Sequence, residues 1–364
     1  MNAGLIAIII VVIVIILYAT NLIPYAITSI AACVVMIVLD IVPFSTAFAG
    51  FASDTIMLVV GMMIVGNALF ETGAASLLGG ALTKICGRSE KTFLIVVLSF
   101  SFVMTAFCSN TATIALVMPI IAAAAKNNSN IKKKHGYMAA GFAAVGGGCL
   151  TLVGSTPQLV AQGILESSGE RTIGLFDMTG FSLPRVIVFL LFYATIGYSL
   201  QKKYFDFDDV EDSAAASEAE NKYGWKAYLS LGILALCIIG FVTQVVSLGT
   251  TALIGAILCV ITKCVNWNTA VKKLDWNTII LLGGAIGIAS GLDKSGGGEM
   301  IADFALGLFG SDISFFAIVA VFSVLANILA NIMSHTATVS ILVPVALSMT
   351  SALGYDGTIV ALSF

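Results

Sequence analysis

The feature that most limits how this 364-residue chain can fold is a short polar triplet that twice interrupts long apolar sequence. The two copies read SNTATIALVMP at 109–119 and SHTATVSILVP at 334–344, and in both a proline follows the serine by ten residues. The segments upstream also match in length, with TIMLVVGMMIVGNALFETG at 55–73 and TIILLGGAIGIASGLDKSG at 278–296. A duplicated polar break in membrane-type sequence predicts a protein built from two related halves.

Composition places the chain in a lipid bilayer, because 59% of its residues are hydrophobic and only 10% are charged. A helix needs about 20 apolar residues to cross ~30 Å of hydrocarbon. Seven apolar runs reach or approach that length: 4–19, 25–42, 54–70, 181–200, 227–246, 250–265 and 277–292. No cleavage site followed by a soluble domain comes after the first run, so we expect a helix there and not a signal peptide. The composition predicts an all-α polytopic membrane protein, multi-pass in the plasma (inner) membrane.

Enzyme and cofactor chemistry find little support in the sequence. The seven cysteines lie mostly within apolar runs and form no CxxC pair, so we expect free buried thiols. The two histidines, His135 and His335, belong to no HExxH motif or Cys/His cluster, which argues against a zinc site. His135 lies beside Lys132–Lys134, and we expect it to be solvated. We therefore predict neither an enzyme nor a bound cofactor.

Lysine and arginine positions predict the topology. Of the 17 basic residues, 14 fall in four clusters: Lys84, Arg88 and Lys91; Lys126 and Lys132–Lys134; Lys202, Lys203, Lys222 and Lys226; Lys263, Lys272 and Lys273. The positive-inside rule places these clusters in the cytoplasm. Both ends of 92–125 then face the cytoplasm, and its arms would be ~26 and ~21 Å long, short of the ~30 Å hydrocarbon. We predict a re-entrant hairpin that turns at Cys108–Thr111; two short spans with an outside loop are the alternative.

The second copy has acidic flanks instead, namely Asp293, Glu299, Asp303, Asp312 and Asp356 with a single lysine. Its hairpin, over 313–352, is therefore predicted to open to the outside. Two matching repeats with opposite flanks form an inverted-topology pair. The first repeat covers 1–200 and includes a broken helix over 137–166, the second covers 227–364, and the charged segment 201–226 is a solvated cytoplasmic linker.

Each polar triplet is suited to bind ions. A helix broken inside a bilayer exposes N–H and C=O groups that are tolerated only where they line a cavity or meet a ligand. Ser, Asn and Thr cap helix N-termini, and a helix N-terminus attracts an anion. Hydroxyls, an amide and nearby carbonyls can hold a hard cation such as sodium. Pro119 and Pro344 are expected to kink or end the returning arms.

A third break is predicted at GGGCLTLVGSTPQ, residues 146–158, between half-helices 137–148 and 158–166. We expect Ser155 and Thr156 to face the first tip across the binding space. A simple kinked helix, with its hydroxyls bonded to backbone, is the alternative.

The stretch MTAFCSNTATIALVMPI at 104–120, together with the second triplet and the GSTP break, resembles the divalent anion:sodium symporter family of the ion transporter superfamily. The resemblance runs along nearly the whole chain. It implies a homodimeric elevator-type transporter with a scaffold domain and a transport domain, carrying C4-dicarboxylate-like dianions by sodium symport. The expected substrate-binding residues are Ser109, Asn110, Thr111, Ser155, Thr156, Ser334, His335 and Thr336. The expected sodium ligands are Ser109, Asn110, Gly154, Ser334 and Thr336.

Two other transport functions stay open from the sequence. One is sodium-independent anion exchange. The other is cation/proton antiport on a related fold, which needs a titratable acid near the midplane. Asp40, Glu71 and Asp293 lie at segment ends, and the triplets contain no acid. No lysine or arginine lies at the tips either, so a bound dianion would rely on helix ends, hydroxyls and co-bound cations.

The sequence departs from the family pattern in two ways. His335 replaces the second Asn, either as a neutral hydrogen-bonding substitute or as a protonated group that stands in for a cation or meets a more highly charged anion, since histidine ordinarily titrates near 6.5. The partner of Thr156 in the second repeat would fall at position 381, beyond Phe364. We therefore expect a fragment of a longer transporter, with a truncated reading frame or an unusual variant as alternatives.

Overall fold

The computed structural model describes residues 2–74, 77, 89–128, 130–205, 224–309 and 314–362. The described residues form helices and their connections, with no strand among them. The main helices in chain order are α1 Ala3–Thr20, α2 Tyr25–Val38, α3 Phe44–Ala47, α4 Asp54–Glu71, α5 Glu90–Phe107, α6 Asn110–Asn127, α7 Lys133–Gly147, α8 Thr156–Ser167, α9 Thr179–Phe192, α10 Tyr198–Tyr204, α11 Trp225–Thr243, α12 Leu248–Ile261, α13 Trp267–Lys272, α14 Trp276–Lys294, α15 Gly297–Phe309, α16 Phe315–Ile332, α17 His335–Ala352 and α18 Gly357–Ala361. A π-helical turn, Tyr193–Gly197, joins α9 to α10.

Seven helices among the described residues are long and apolar enough to span a membrane: α1, α4, α5, α9 with α10, α11, α14 and α16. Several carry large apolar side chains on their outer faces, as Ile13, Phe181 and Val188 do. Contiguous apolar surface of this kind is stable in lipid and unfavourable in water. The chain is a multi-pass membrane protein, helical throughout the regular structure of its described residues, as its composition predicted.

The chain divides into two compact units. The terminal unit contains Met1–Val59, Thr156–Ile173 and Asp275–Phe364. The central unit contains Val60–Ser155 and Gly174–Leu274. The first triplet therefore belongs to the central unit and the second triplet to the terminal unit.

In the central unit, α5, α6 and α7 pack around one apolar cluster that includes Phe93, Leu98, Phe102, Ile121 and Ala143. α5 and α7 approach closely, because a Cβ added to Gly147 would lie 2.6 Å from the carbonyl oxygen of Phe102. Small residues permit such backbone contact between membrane helices.

In the terminal unit, α14 is largely buried and packs against α2, α8 and α17. Glycines on α14 allow α2 to approach: a Cβ on Gly284 would lie 2.6 Å from the Cβ of Ser29. The Cys33 thiol of α2 donates a hydrogen bond to the carbonyl of Gly284 at 3.4 Å. α17 in turn contacts α8, α14, α15 and α18, so the helix that follows the second triplet is held on several sides.

The predicted breaks are present, but the helices around them are longer than predicted. The arms of the first hairpin were predicted as 92–108 and 112–125, whereas α5 and α6 each have 18 residues, or ~27 Å. The broken helix, predicted over 137–166, is formed by α7 from Lys133 and α8 to Ser167. Much of the added length lies at the ends away from the breaks, at Glu90, Asn127 and Lys133.

Other predictions are corrected or fall outside the described residues. Pro119 and Pro344 do not end their arms, since both lie within helices that continue to Asn127 and Ala352. The linker predicted at 201–226 is helical at both ends, in α10 and α11, and its residues 206–223 lie outside the described part. The same is true of Lys84, Arg88, Cys86, Asp312 and the first residue of the predicted hairpin 313–352. That these two helix pairs are re-entrant hairpins and not pairs of short spans, and how they are oriented in the membrane, stays a prediction.

Candidate functional site

The first triplet lies at the junction between α5 and α6. α5 ends at Phe107, Cys108 is extended (φ −124°, ψ 158°), and α6 begins at Asn110. Ser109 caps α6, because its side-chain oxygen accepts a hydrogen bond from the Ala112 amide at 3.3 Å. Ser109 and Thr111 are exposed. The tip thus presents two accessible hydroxyls beside the amides and positive dipole end of a helix.

Asn110 reaches from this tip into the break between α7 and α8. One polar atom of its amide lies 3.1 Å from the Ala144 carbonyl oxygen and 3.3 Å from that of Gly154, and the amide donates to both when its nitrogen occupies that position. Gly148 is required here, since a Cβ would lie 2.6 Å from the Asn110 side chain. A Cβ on Gly154 would lie 2.7 Å from the Thr105 carbonyl oxygen. Backbone carbonyl oxygens therefore crowd around the Asn110 amide.

The loop that carries Gly154 is anchored on two sides. The Thr151 hydroxyl donates to the carbonyl of Ala106, in the last turn of α5. The Thr179 hydroxyl of α9 donates to the Leu150 carbonyl at 2.6 Å. The break between α7 and α8 is therefore a fixed loop joined to the hairpin tip, and the alternative of a simple kinked helix is wrong.

The second triplet has the same local backbone. α16 ends at Ile332, Met333 is extended (φ −123°, ψ 177°), and α17 begins at His335. The Ser334 side chain accepts a hydrogen bond from the Ala337 amide at 3.2 Å. His335 is exposed, and its ring forms no hydrogen bond or ion pair with the residues that the structure describes. Thr336 is half-buried.

The helices of the two hairpins begin and end at equivalent positions. The bounds of α16 and α17 are those of α5 and α6 shifted by a constant 225 residues (315 minus 90, and the same at the other three ends). The capping serines and the internal prolines follow the same offset. The sequence similarity between the two triplet regions is thus accompanied by equal helix lengths, the same position of the break and the same capping.

The predicted site residues are brought together only in part. Asn110 and Gly154, both predicted sodium ligands, lie side by side in the central unit with Ser109, Thr111 and Ser155. Thr156, Ser334, His335 and Thr336 belong to the terminal unit. That all of them form one binding space stays a prediction.

The structure also reveals a polar group that the sequence interpretation missed. His135 was predicted to be solvated, but it is 4% exposed and its Nδ1 lies 2.9 Å from Oε1 of Glu90. The signal was present in the sequence: His135 shares one face of α7 with small residues at intervals of four, Ala139, Ala143 and Gly147. The neighbouring lysines suggested that His135 is exposed to solvent, but the helical period places it on the buried face of α7.

Within the described part of the chain, no cluster of three or more His, Cys, Asp or Glu side chains could hold a metal ion. Six cysteines in that part are free thiols: Cys33, Cys108, Cys149, Cys237, Cys259 and Cys264. The oxygen atoms at the first tip are the ligand type that hard cations prefer.

Comparison with known proteins gives a consistent result. A family model described as a citrate transporter (CitMHS) matches residues 8–364. A sodium-dependent dicarboxylate transporter of Staphylococcus aureus is 25% identical over 308 residues, covering 75% of this chain and 59% of that protein. An uncharacterized transporter of Methanocaldococcus jannaschii is 24% identical over 266 residues, covering 71% and 59%. The chain spans about three fifths of the length of these relatives, which are described as transporters and not as enzymes.

Proposed function

Because this chain belongs to the citrate transporter family of the ion transporter superfamily, we propose that it is a secondary active transporter of small carboxylate anions. We propose sodium-coupled symport of a C4-dicarboxylate-like dianion by an elevator-type movement. The dicarboxylate transporter among its relatives supports this assignment. The inverted repeat, the division into scaffold and transport domains, the homodimer and the plasma-membrane location belong to the same proposal.

The observation that carries the proposal is the pair of serine-capped helix N-termini in apolar sequence. At the first tip, Ser109 and Thr111 offer exposed hydroxyls beside the free amides of α6. At the second, Ser334 and Thr336 occupy the same positions on α17. Carboxylates bind favourably to such helix ends. No lysine or arginine occurs in either triplet, so a co-bound cation would balance the charge of the dianion.

Sodium would bind at the first tip through Ser109, Asn110 and Gly154. With its nitrogen toward the carbonyls of Ala144 and Gly154, the Asn110 amide donates two hydrogen bonds. With its oxygen there, three oxygen atoms converge, an arrangement that favours a hard cation. The amide would therefore turn when sodium arrives, and sodium binding would order the tip for the anion. Ser334 and Thr336 would serve a second sodium ion, with Ser155, Thr156 and His335 completing the anion site.

Uptake of radiolabelled succinate into proteoliposomes tests the proposal directly. We expect accumulation with an inward sodium gradient and little with a matched potassium gradient. Uptake that ignores sodium and is accelerated by internal succinate would favour exchange and remove the coupling. Proton release driven by a cation gradient, with no anion uptake, would replace the proposal with cation/proton antiport.

A second candidate substrate is citrate, which carries one more carboxylate. The family description and the exposed His335 ring, free to meet a further carboxylate, both favour it. Competition of unlabelled citrate and fumarate against succinate distinguishes the two. If citrate competes more strongly and His335→Asn reverses the order, the site is a tricarboxylate site.

A further inference from the structure

A buried polar network lies at the end of α5 and α7 away from the first tip. Glu90, the first residue of α5, is 9% exposed, and its Oε1 accepts hydrogen bonds from the Lys132 backbone amide and from His135 Nδ1, both at 2.9 Å. Its Oε2 accepts a hydrogen bond from the Tyr198 hydroxyl at 2.8 Å. Three groups from two other helical segments thus converge on one carboxylate.

The network continues into the helix that contains the π-helical turn. The Gln201 amide donates to the His135 carbonyl at 3.0 Å, and the Tyr193 hydroxyl donates to the Gln201 side-chain oxygen. Tyr193 and Gln201 are also buried. The starts of α5 and α7 are therefore joined to each other and to α9–α10.

This network is costly for stability alone. Burying a carboxylate together with its polar partners loses hydration that apolar packing would not lose. His135 Nε2 is buried as well and has no partner in the described residues, a further cost. A polar arrangement with these costs calls for a function that apolar side chains could not serve.

Control of helix register is such a function. α5 and α7 run in the same direction, with Glu90 beside His135 at one end and Ala106 bonded to Thr151 at the other. Between these ends α7 presents small side chains, including Ala139, Ala143 and Gly147. A surface of small apolar residues supplies no directional contact that would keep one helix from sliding along the other. Directional hydrogen bonds fix the axial position of α5 relative to α7. A slip of one residue moves a helix by about 1.5 Å.

We propose that Glu90 and His135 are positioning residues that set the register of α5 on α7. The first tip lies about 24 Å further along these helices. By fixing the register, the pair holds Asn110 against the carbonyl oxygens of Ala144 and Gly154. The inference rests on the proposed sodium site at the first tip. The pair touches neither sodium nor anion: it fixes the distance between Asn110 at the tip and the carbonyl oxygens of Ala144, in α7, and Gly154, in the loop that follows. Sodium affinity therefore depends on it.

The deciding variants are His135→Leu, which keeps the volume and removes the donor, and His135→Asn, whose amide nitrogen is bonded to Cγ as Nδ1 is and so retains a donor toward Glu90. We expect His135→Leu to raise the half-saturating sodium concentration for uptake about tenfold, as loss of supporting contacts around metal ligands does. The maximal rate should change little. His135→Asn should restore sodium affinity, and Lys91→Gln, an exposed neighbour of Glu90, should leave it unchanged.

A second readout separates this inference from the proposed function. In a variant whose only cysteine is Cys108, at the tip, we expect His135→Leu to speed alkylation of Cys108 and His135→Asn to leave the rate at the parent value. Absence of uptake by the unmodified chain would overturn the proposed function, while the alkylation rates still test the register. Equal alkylation rates and equal sodium dependence in the parent and His135→Leu chains would overturn the inference. If His135→Leu fails to fold, Glu90→Gln decides by the same two measurements, and unchanged values there overturn it too.

Discussion

The two hairpin tips share a backbone but differ in their surroundings. Both have an extended residue, a capping serine and a following helix of 18 residues. In the first, the middle residue Asn110 is half-buried and its amide meets two carbonyl oxygens. In the second, His335 is exposed and its ring has no partner among the described residues. The break itself is a local property of the triplet, whereas the chemistry of the middle position depends on what packs beside it.

The strongest way to break this comparison is to remove the two middle side chains separately. Asn110→Ala deletes both donors and the proposed sodium ligand, so we expect sodium-dependent uptake to fall about 100-fold. His335→Ala should cost less than about tenfold, since its ring supports no neighbouring group. The measurement is initial uptake rate against sodium concentration. Equal losses would show that the tips contribute alike despite their different surroundings.

The close contact between α5 and α7 is tested by Gly147→Ala. A Cβ there would meet the Phe102 backbone, so we expect a loss of about 1–3 kcal/mol in unfolding free energy from overpacking, together with weaker sodium binding. Gly141→Ala is the matched control on the same helix, because no atom lies within 4 Å of its added Cβ. Thermal unfolding in detergent measures both variants. A fully stable Gly147→Ala protein would mean that close packing of α5 and α7 is dispensable.

The shared part of the comparison predicts equal effects. Ser109→Ala and Ser334→Ala each remove one N-cap, which costs about 1 kcal/mol, whereas glycine at the same positions costs only a few tenths. Hydrogen exchange in the first turns of α6 and α17 measures the loss. A large effect at one serine and none at the other would show that the two breaks are held by different interactions.

The smallest effect is expected from His335→Asn, which makes the second triplet identical to the first. We expect succinate uptake and its pH profile between about 5 and 8 to stay unchanged, because an imidazole ring and an amide can each donate and accept hydrogen bonds. Loss of pH dependence in this variant would show instead that the imidazole takes up a proton during transport.

The sequence was informative where structure follows from nearby residues. The breaks at 108–109 and 333–334 were predictable because serine caps and small polar residues oppose helix continuation locally. The arm lengths and the positions of Pro119 and Pro344 within helices were not, since a proline can be accommodated by its neighbours in a membrane helix.

The features that could not be predicted from the sequence depend on tertiary contacts. The proximity of Asn110 to Ala144 and Gly154 depends on the register of α5 against α7, which are separated in sequence by α6. His135 was placed in solvent by its lysine neighbours, although the four-residue spacing of small residues in α7 predicts its burial. Glu90 carried no pattern of its own, and only the folded chain shows that three donors meet at its carboxylate.

Because the offset of 225 residues is constant, the two hairpins have equal helix lengths. Residues 90–127 and 315–352 have the same length, so replacing the first segment by the second would not change the length of the chain. A chimaera of that kind would keep its breaks and caps, yet it would bring no glutamate to the root of the graft and no asparagine to its tip. Equal helix lengths and caps therefore leave the two helix pairs chemically distinct, because the positions of Glu90 and Asn110 are held by phenylalanine and histidine in the second pair.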